Sequence, residues 1–471
     1  MFPLLTMIAG CPPAATEMGP EPASTSDAPA SATTGGPEMN PGAGASTSTT
    51  SAPTSGAAGT TAGDEDPTTG EPLDPGSEAT TSAGETTAGE TTAGETTAGE
   101  TTAGEDDVWM PKGCPEIYAQ DLLPTFELEV TPQVLSGLKK EWEAADDDDL
   151  TKFPLKAFTY GDTTITNASI RLRGNASHWS GQGKMQFEVE FNTFDKKGRF
   201  MGLRQVLFDA AEYNRSFLRD RLALAILRDA GVPASCANNA RLVLNGEYYG
   251  LFTSIEKVDK EFLERHFEDP DGNLYKRGGG GSLGWSKKTN EEDDDLGDIK
   301  ELNAAKDLDD LLEVLDLEQA LLEWATEAVI PNRDGLWAGG LNGYTYHDPK
   351  TGRFVMIPWD LDDSFTRLEP DVDPIKFKKE GDVFHGRPFY DIALANSTWR
   401  KQYVAAVAHA LTTAYDKDVL QQRIDAWAAQ IEQAVAEDPN RPFTMKEHLD
   451  QVKEMREFVA ERSAFLKDWL E

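Results

Sequence analysis

Apolar and polar residues alternate along several segments between residue 108 and about residue 258. A period of two is typical of strands that bury one face, so these segments predict a sheet. The run 241–258 carries Asn-Gly at 245–246 between two alternating stretches, which predicts a β-hairpin. Residues 214–231 instead space their apolar side chains as a helix does and end at Gly231, which predicts one helix within this strand-rich part.

Beyond about residue 259 the period lengthens to that of helices. The segments 307–330 and 400–415 are the clearest examples, and most of 398–470 follows the same pattern. We therefore predict an α+β fold, with a strand-rich amino-terminal lobe at about 108–258 and a helix-rich carboxy-terminal lobe at about 259–471.

One strand-like stretch interrupts the helix-rich part. "NGYTYH" and "RFVMIPW" flank the turn signal "DPKTG" at 348–352. Folding the two runs antiparallel about residue 351 places Asn342 nearly opposite Asp360 at the open end of a hairpin. Asp334 lies eight residues before Asn342, at the start of a glycine-rich loop. Such hard oxygen ligands suit Mg²⁺ or Mn²⁺ shared with a phosphate group, so we predict a metal site here.

Two further aspartates, Asp362 and Asp363, follow Asp360 closely. A helix cap is an equally good interpretation of these two, because Asp readily accepts hydrogen bonds from the first turn of a helix.

The composition of residues 12–107 differs from that of the rest of the chain. Up to residue 107 there are 17 Asp and Glu residues and no Lys or Arg, and few side chains are apolar enough to form a core. This segment, with its repeated "TTAGE", is therefore predicted to be a disordered acidic stalk. The net charge of −38 argues against a nucleic-acid partner, and no apolar run reaches the length of a membrane span.

The amino-terminal sequence, which ends at Cys11, suggests that the protein is exported. "MFPLLTMIAGC" resembles a bacterial lipobox, so residues 1–11 are interpreted as a lipoprotein signal segment with Cys11 as the lipid-modified residue. An unmodified terminus is the alternative, since no Lys or Arg precedes the apolar run. In an exported protein, Cys114 and Cys236 can form one disulfide. We predict a monomer anchored to a bacterial cell envelope only through this lipid.

The chain is similar to the CotH family, the spore-coat protein H kinases, which are atypical protein kinases. The similarity covers about residues 120–400 and rests on an ordered set of motifs. In chain order these are "IRLRGNAS", "GKMQFEVEFN", "RSFLRDRLALAILRDAG", "RLVLNGEYYGLFTSIEKVDKEFL", "GNLYKR", "NRD", "NGYTYHD" and "IPWDLDDSF".

This resemblance implies a two-lobed kinase-like fold and a role for each matching residue. Asp334 matches the loop aspartate that orients the acceptor hydroxyl and takes its proton. Asn342 and Asp360 match the metal-binding pair, and Lys184 matches the lysine that contacts nucleotide phosphates. Glu212 and Asp220 are both candidates for the acidic partner of Lys184.

The resemblance also implies a set of nucleotide contacts. We expect three kinds of contact: a turn over the phosphates, a residue near the adenine, and a cation that pairs with an acidic group or a phosphate. These positions are Arg173, Gly174, Asn175 and Ser177 for the turn, Glu256 for the adenine and Arg219 for the cation.

The predicted function is transfer of phosphate from ATP, with Mg²⁺ or Mn²⁺, to Ser or Thr of a protein acceptor. The alternative is a catalytically silent, surface-displayed adhesin or coat module with a kinase-like fold. A metal-dependent hydrolase is a third hypothesis, which the absence of zinc-ligand spacing and of an obvious nucleophile disfavours.

Overall fold

A computed structural model describes residues 112–145, 150–174, 184–211, 213–277, 284–293, 295–365, 368–379 and 386–471. The predictions for the signal segment, Cys11 and the acidic stalk lie outside these described residues. The same holds for Asn175, Ser177 and Glu212.

A nine-stranded sheet forms the amino-terminal part of the described chain. Its strand order is β2-β5-β6-β7-β9-β8-β1-β3-β4, and β1 runs parallel to β8 while the other neighbours are antiparallel. The strands are β1 (Thr125–Glu129), β2 (Phe153–Pro154), β3 (Ala157–Tyr160), β4 (Thr163–Ile165), β5 (Ser169–Leu172), β6 (Phe187–Glu190), β7 (Gln205–Asp209), β8 (Ala237–Leu244) and β9 (Glu247–Ile255).

The predicted hairpin at 245–246 is confirmed as the β8–β9 pair. Asn245 has φ 52° and Gly246 has φ 85°. Two successive left-handed residues match the right-handed twist of the flanking strands, which is why Asn-Gly favours this turn.

Two helices accompany this sheet, whereas the apolar pattern predicted one. The predicted helix is α2 (Arg219–Asp229), and the additional one is α1 (Pro132–Ala144). Helix α1 begins after Thr131, whose side chain accepts a hydrogen bond from the Val134 N–H. It buries only Val134 and Leu138, so its apolar stripe is too narrow to be read from the sequence.

The carboxy-terminal part is mainly helical and includes a four-stranded sheet with the order β11-β10-β12-β13. Its strands are β10 (Asn273–Arg277), β11 (Trp285–Lys287), β12 (Gly343–Asp348) and β13 (Arg353–Pro358). Its helices are α3 (Lys260–His266), α4 (Gly297–Ala304), α5 (Leu308–Val314), α6 (Leu317–Val329), α7 (Leu336–Gly339), α8 (Pro388–Ala395), α9 (Ser397–Thr413), α10 (Lys417–Glu437) and α11 (Met445–Leu470). Together with the nine-stranded sheet, these elements confirm the predicted α+β class.

Two hydrophobic cores lie on opposite faces of the nine-stranded sheet. In β7, Val206 and Phe208 belong to the core under the amino-terminal elements, whereas Leu207 belongs to the larger core of the helical part. Helix α2 packs entirely within that larger core. The helix that the sequence assigned to the strand-rich part therefore ties the sheet to the carboxy-terminal helices.

The described chain contains one disulfide, between Cys114 and Cys236, whose Cα atoms are 5.8 Å apart. The pairing expected for an exported protein is therefore present in the structure. Within the described ranges, no helix is both long enough and apolar enough to cross a membrane.

Candidate functional site

The predicted hairpin at 342–360 is present as β12–β13, with its register one residue away from the prediction. Gly343 pairs with Pro358, and the ladder closes at Asp348 and Arg353. Continuing this register places Asn342 opposite Trp359, the neighbour of Asp360, which is close to the predicted position of Asn342 nearly opposite Asp360. Both residues leave the ladder with left-handed backbone angles, φ 44° at Asn342 and φ 61° at Asp360.

The amino terminus of α2 holds the turn that carries Asp360. The carboxylate of Asp220 accepts a hydrogen bond from the Leu361 N–H at 3.1 Å. Arg219 donates from Nη1 to the carbonyl oxygen of Asp362 at 2.7 Å and from Nη2 to Gln451 at 2.6 Å. Arg219 thus binds the backbone next to Asp360, and Asp220 has the same positioning role.

Carboxylates crowd around this turn. Burial, followed by the charges of Asp209 and Asp360, raises the pKa of Asp220 to about 7. Burial also raises the pKa of Asp362 well above its ordinary value, with Asp360 and Asp220 adding to the effect. Arg173 partly offsets this negative charge by an ion pair with Asp209 at 2.5 Å and by its interaction with Asp360. We call Asp209, Asp220, Asp360 and Asp362 the acidic cluster.

Asp334 lies in the loop after α6 and is linked to the Asp360 turn through arginine. Its carboxylate is ion-paired with Lys379 and lies 3.4 Å from Arg333 Nε. Arg333 also donates from Nε at 2.9 Å and from Nη2 at 2.5 Å to Asp363 Oδ2. Asp363 is therefore a salt-bridge partner, and Arg333 joins the Asp334 loop to the acidic turn. Arg333 was not among the residues predicted from the sequence, although it lies next to Asp334.

A fully buried glutamate of α6 binds residues on both sides of Asp334. Glu327 accepts hydrogen bonds from the Trp337 N–H at 2.8 Å and from Asn332 Nδ2 at 2.9 Å. A Cβ atom at Gly335 would collide with the Glu327 carboxylate and with Asn332, so only glycine fits there. A charged residue inside the apolar stripe of α6 was the available signal for this residue.

Lys184 is in a different environment from the one predicted. Its ammonium group is buried, forms a 2.5 Å ion pair with Asp438 and donates to the carbonyl oxygen of Leu251. Burial lowers the pKa of Lys184 to about 8, although Asp438 acts in the opposite direction. Asp220 is therefore not its partner, and Lys184 does not face Asn342 and Asp360 across an open cleft. Asp438 was missed because it lies 254 residues away in sequence.

Glu256, which is predicted to lie near the adenine, is also buried. Its carboxylate is ion-paired with Arg265 and accepts a hydrogen bond from the Cys236 N–H at 3.0 Å. Glu256 therefore lies next to the disulfide that Cys236 forms with Cys114. In the predicted phosphate turn, Gly174 has φ 94° directly after Arg173.

The donor set around Asp360 limits how a metal ion would be held. Among the described residues, no group of three or more His, Cys, Asp or Glu side chains is arranged to hold a metal ion. A site with one or two protein oxygens fits Mg²⁺, which usually keeps several waters or phosphate oxygens among its ligands. Asn342 and Asp360 are the residues that would supply those protein oxygens.

Comparison with known proteins identifies relatives over most of the described chain. The family model described as CotH kinase protein matches residues 170–466. The chain is 25% identical over 378 residues to inner spore coat protein H of Bacillus subtilis (strain 168), covering 74% of this chain and 98% of that protein.

Solved structures show only distant similarity. The proinflammatory kinase CtkA of Helicobacter pylori matches 64% of this chain and 90% of its own, with 11% identity and a TM-score of 0.32. HipA in its toxin–antitoxin complex from Shewanella oneidensis MR-1 covers 56% of this chain and 59% of its own, with 15% identity and a TM-score of 0.25. These two structural similarities are too weak to support a conclusion about this chain. The family model covers more than half of the sequence and confirms the predicted resemblance and its kinase-like fold class. The chain therefore belongs to the CotH kinase family.

Proposed function

We propose that this protein transfers a phosphoryl group from ATP to a Ser or Thr hydroxyl of another protein. The observation that carries the proposal is the acidic cluster. In a chain of the CotH kinase family, Asp360 lies at the open end of a hairpin, on a turn that Arg219 and Asp220 hold in place. Its charge adds to the burial that raises the pKa values of Asp220 and Asp362. Such an excess of negative charge favours binding of a divalent cation.

In this proposal, Asn342 and Asp360 hold Mg²⁺ or Mn²⁺ together with the phosphates of the nucleotide. When bound, the ion supplies charge neutralisation on the transferring group. Asp334 orients the acceptor hydroxyl and takes its proton, and its ion pairs with Lys379 and Arg333 hold the carboxylate in one orientation. Arg173, whose side chain lies beside the acidic cluster, supplies positive charge near the phosphates.

The assignment of Lys184 to the phosphates remains a prediction of the family resemblance. Its ammonium group is fully buried against Asp438. Contact with a nucleotide would require that this ion pair opens. Glu256 in an adenine site is likewise retained only as a prediction.

Radiolabelled phosphate transfer from ATP tests the proposal. The wild type is compared with Asp360→Ala, Asp334→Ala and a control, Asp162→Ala, which removes an exposed carboxylate from the β3–β4 turn. We expect losses of about 100-fold or more for the two site variants, because each removes a group that stabilises the transition state, and no loss for the control. Equal labelling by all four proteins would overturn the proposal.

A coat or adhesin module without catalysis is the second candidate. Two observations favour it: the Bacillus subtilis relative is named as an inner spore coat protein, and Lys184 is buried in an ion pair. In this case the chain is an exported, coat-associated monomer, anchored through Cys11, and its partners are other surface proteins. Calorimetric titration with ATP and Mg²⁺ separates the two functions, since a structural module has no reason to bind the nucleotide.

A further inference from the structure

A small cavity lies behind the loop that carries Asp334 and Asn342. Its volume is about 30 Å³, and it is bounded by β10 and β11 on one side and by α6 and α8 on the other. Leu336 and Gly340 of the loop form part of its wall. This cavity is separate from the acidic cluster, and neither the family resemblance nor the proposed function uses it.

Arg277 lies at the wall of the cavity and has an unusual environment for this chain. Its Nε donates to the carbonyl oxygen of Gly340 at 2.9 Å, and its guanidinium group stacks over the Trp285 ring at 4.6 Å. Although the chain has 82 acidic and 44 basic residues, no carboxylate of the described residues forms an ion pair with Arg277. Burial lowers its pKa to about 10, so it remains charged at neutral pH.

One other buried donor at the same wall lacks an acceptor. Trp285 is buried, and its Nε1–H has no hydrogen-bond acceptor within the described part of the chain. Arg387 is buried as well, but its guanidinium group is already engaged: Nη1 and Nη2 donate to the carbonyl oxygens of Trp337 and Ile375, and Nε lies 3.3 Å from Asp391. A buried donor without an acceptor costs free energy, so this wall is suited to receive an oxygen acceptor from outside the protein.

We propose that this cavity binds a carboxylate at the end of a short apolar stem, such as the side chain of a glutamate in another polypeptide. The planar guanidinium group of Arg277 matches the geometry of a carboxylate. A volume of about 30 Å³ admits the head group, and the apolar side chains of Trp324, Met356 and Phe389 surround the stem.

Occupancy of the cavity has a consequence for the neighbouring loop. Arg277 already holds the Gly340 carbonyl, and Leu336 lines the cavity, so the ligand contacts both ends of α7. A glutamate bound here therefore lies next to the loop between Asp334 and Asn342. The cavity selects polypeptides that carry an acidic residue, whether or not the protein has transferase activity.

Selective ¹⁵N labelling of tryptophan provides a direct test on the full chain. The indole resonance of Trp285 is identified by its disappearance in Trp285→Phe. N-acetylglutamate α-amide, which carries one side-chain carboxylate, is titrated against the neutral N-acetylglutamine α-amide. We expect a saturable shift of the Trp285 resonance with the glutamate compound alone. Acetate distinguishes a site for any free carboxylate from one that also needs the stem, which we expect to strengthen binding.

Two substitutions of the arginine locate the site. Arg277→Gln removes the charge and should weaken binding of the glutamate compound about tenfold or more, while Arg277→Lys should retain part of it. Arg423→Gln is the control, because it removes an arginine of α10 that is paired with Asp229 of α2. This variant should bind the glutamate compound as the wild type does. No shift in the wild type would mean that water alone fills the cavity, and equal shifts with both compounds would mean that the site does not select a carboxylate. Either result would overturn the proposal. An unchanged affinity in Arg277→Gln would also overturn it.

Discussion

Asn342 and Asp360 have the same uncommon backbone conformation on the two sides of one hairpin. Neither is glycine, yet both have positive φ angles, which carry a cost for residues with a Cβ atom. Such residues persist where the surrounding structure holds them, and they cluster at functional sites. At Asp360 the surroundings are known: Asp220 and Arg219 bind the backbone of the next two residues. The strain is thus consistent with a site built to present a carboxylate.

The buried glutamates of α6 show a second feature at this scale. Glu327 has hydrogen-bond partners in the Asp334 loop, whereas neither carboxylate oxygen of Glu323 has a partner among the described residues. Burial raises the pKa of Glu323 well above its ordinary value, and the charge of Glu327 raises it further. Glu323 is therefore held neutral in the folded protein while Glu327 accepts two hydrogen bonds.

This arrangement predicts how Glu323→Gln changes the pH dependence of stability. A carboxyl group with a raised pKa holds its proton more tightly in the native state, so it costs stability as the pH rises above its ordinary value near 4.5. The wild type should therefore lose stability relative to Glu323→Gln as the pH rises above about 5. Urea unfolding of both proteins at several pH values measures this difference.

Glu318→Gln is the matched control, because Glu318 lies on the same helix and is exposed. The free energy of unfolding of Glu318→Gln should depend on pH in the same way as that of the wild type. A constant difference between wild type and Glu323→Gln would show that Glu323 does not titrate on unfolding.

Among the elements, β9 meets the end of α10 at the buried carboxylate of Asp438. Asp438, directly after α10, accepts from Lys184 and from the Leu251 N–H of β9 at 3.0 Å. Gly250 has φ 145°, and a Cβ atom there would lie 2.5 Å from the Asp438 carboxylate. The strand and the helix end can approach this closely only because residue 250 is glycine.

Gly250→Ala should therefore destabilise the protein by displacing Asp438. Leaving Lys184 buried without its partner costs about 3–5 kcal/mol. The free energy of unfolding, measured with urea, should fall by this amount in addition to the cost of a positive φ angle. Gly202→Ala separates the two effects, because Gly202 has φ 81° and open space around its Cβ position. Equal losses for both variants would contradict the role of the ion pair.

At the scale of the whole molecule, a disulfide closes a long loop within the amino-terminal part, and α2 packs this part against the carboxy-terminal helices. The disulfide joins Cys114, just before the first described elements, to Cys236 before β8, across 122 residues of sequence. Helix α2 makes the non-covalent link, since it contacts β8 on one side and α6 on the other. The disulfide lowers the entropy of the unfolded chain, and this effect grows with the length of the loop that it closes. Loss of this disulfide should therefore reduce stability substantially.

Cys236→Ser should lower the free energy of unfolding by about 4–5 kcal/mol, the value expected for a loop of roughly 100 residues. Reducing agent should destabilise the wild type to a similar extent and should not affect the variant. Cys11→Ser should keep the full sensitivity to reducing agent, because Cys11 is not part of the disulfide. A wild type that unfolds identically with and without reducing agent would contradict a stabilising disulfide.

The sequence alone determined the features that depend on neighbouring residues. The period of apolar positions was sufficient for most strands, for α2 and for the helix-rich part, and turn chemistry was sufficient for both hairpins. Helix α1 escaped because its buried stripe contains only two residues. The motif order was sufficient for the family, since ordered motifs survive where the overall identity is as low as 25%.

Only the tertiary structure decided which distant side chains meet. The partner of Lys184 is 254 residues away, and the β12–β13 register places Trp359 opposite Asn342, with Asp360 one residue further on. Glu256 proved to be a buried partner of Arg265, and Arg219 a support for the acidic turn. Burial and pairing set the charge states of such groups, and both depend on packing between segments that local periodicity does not describe.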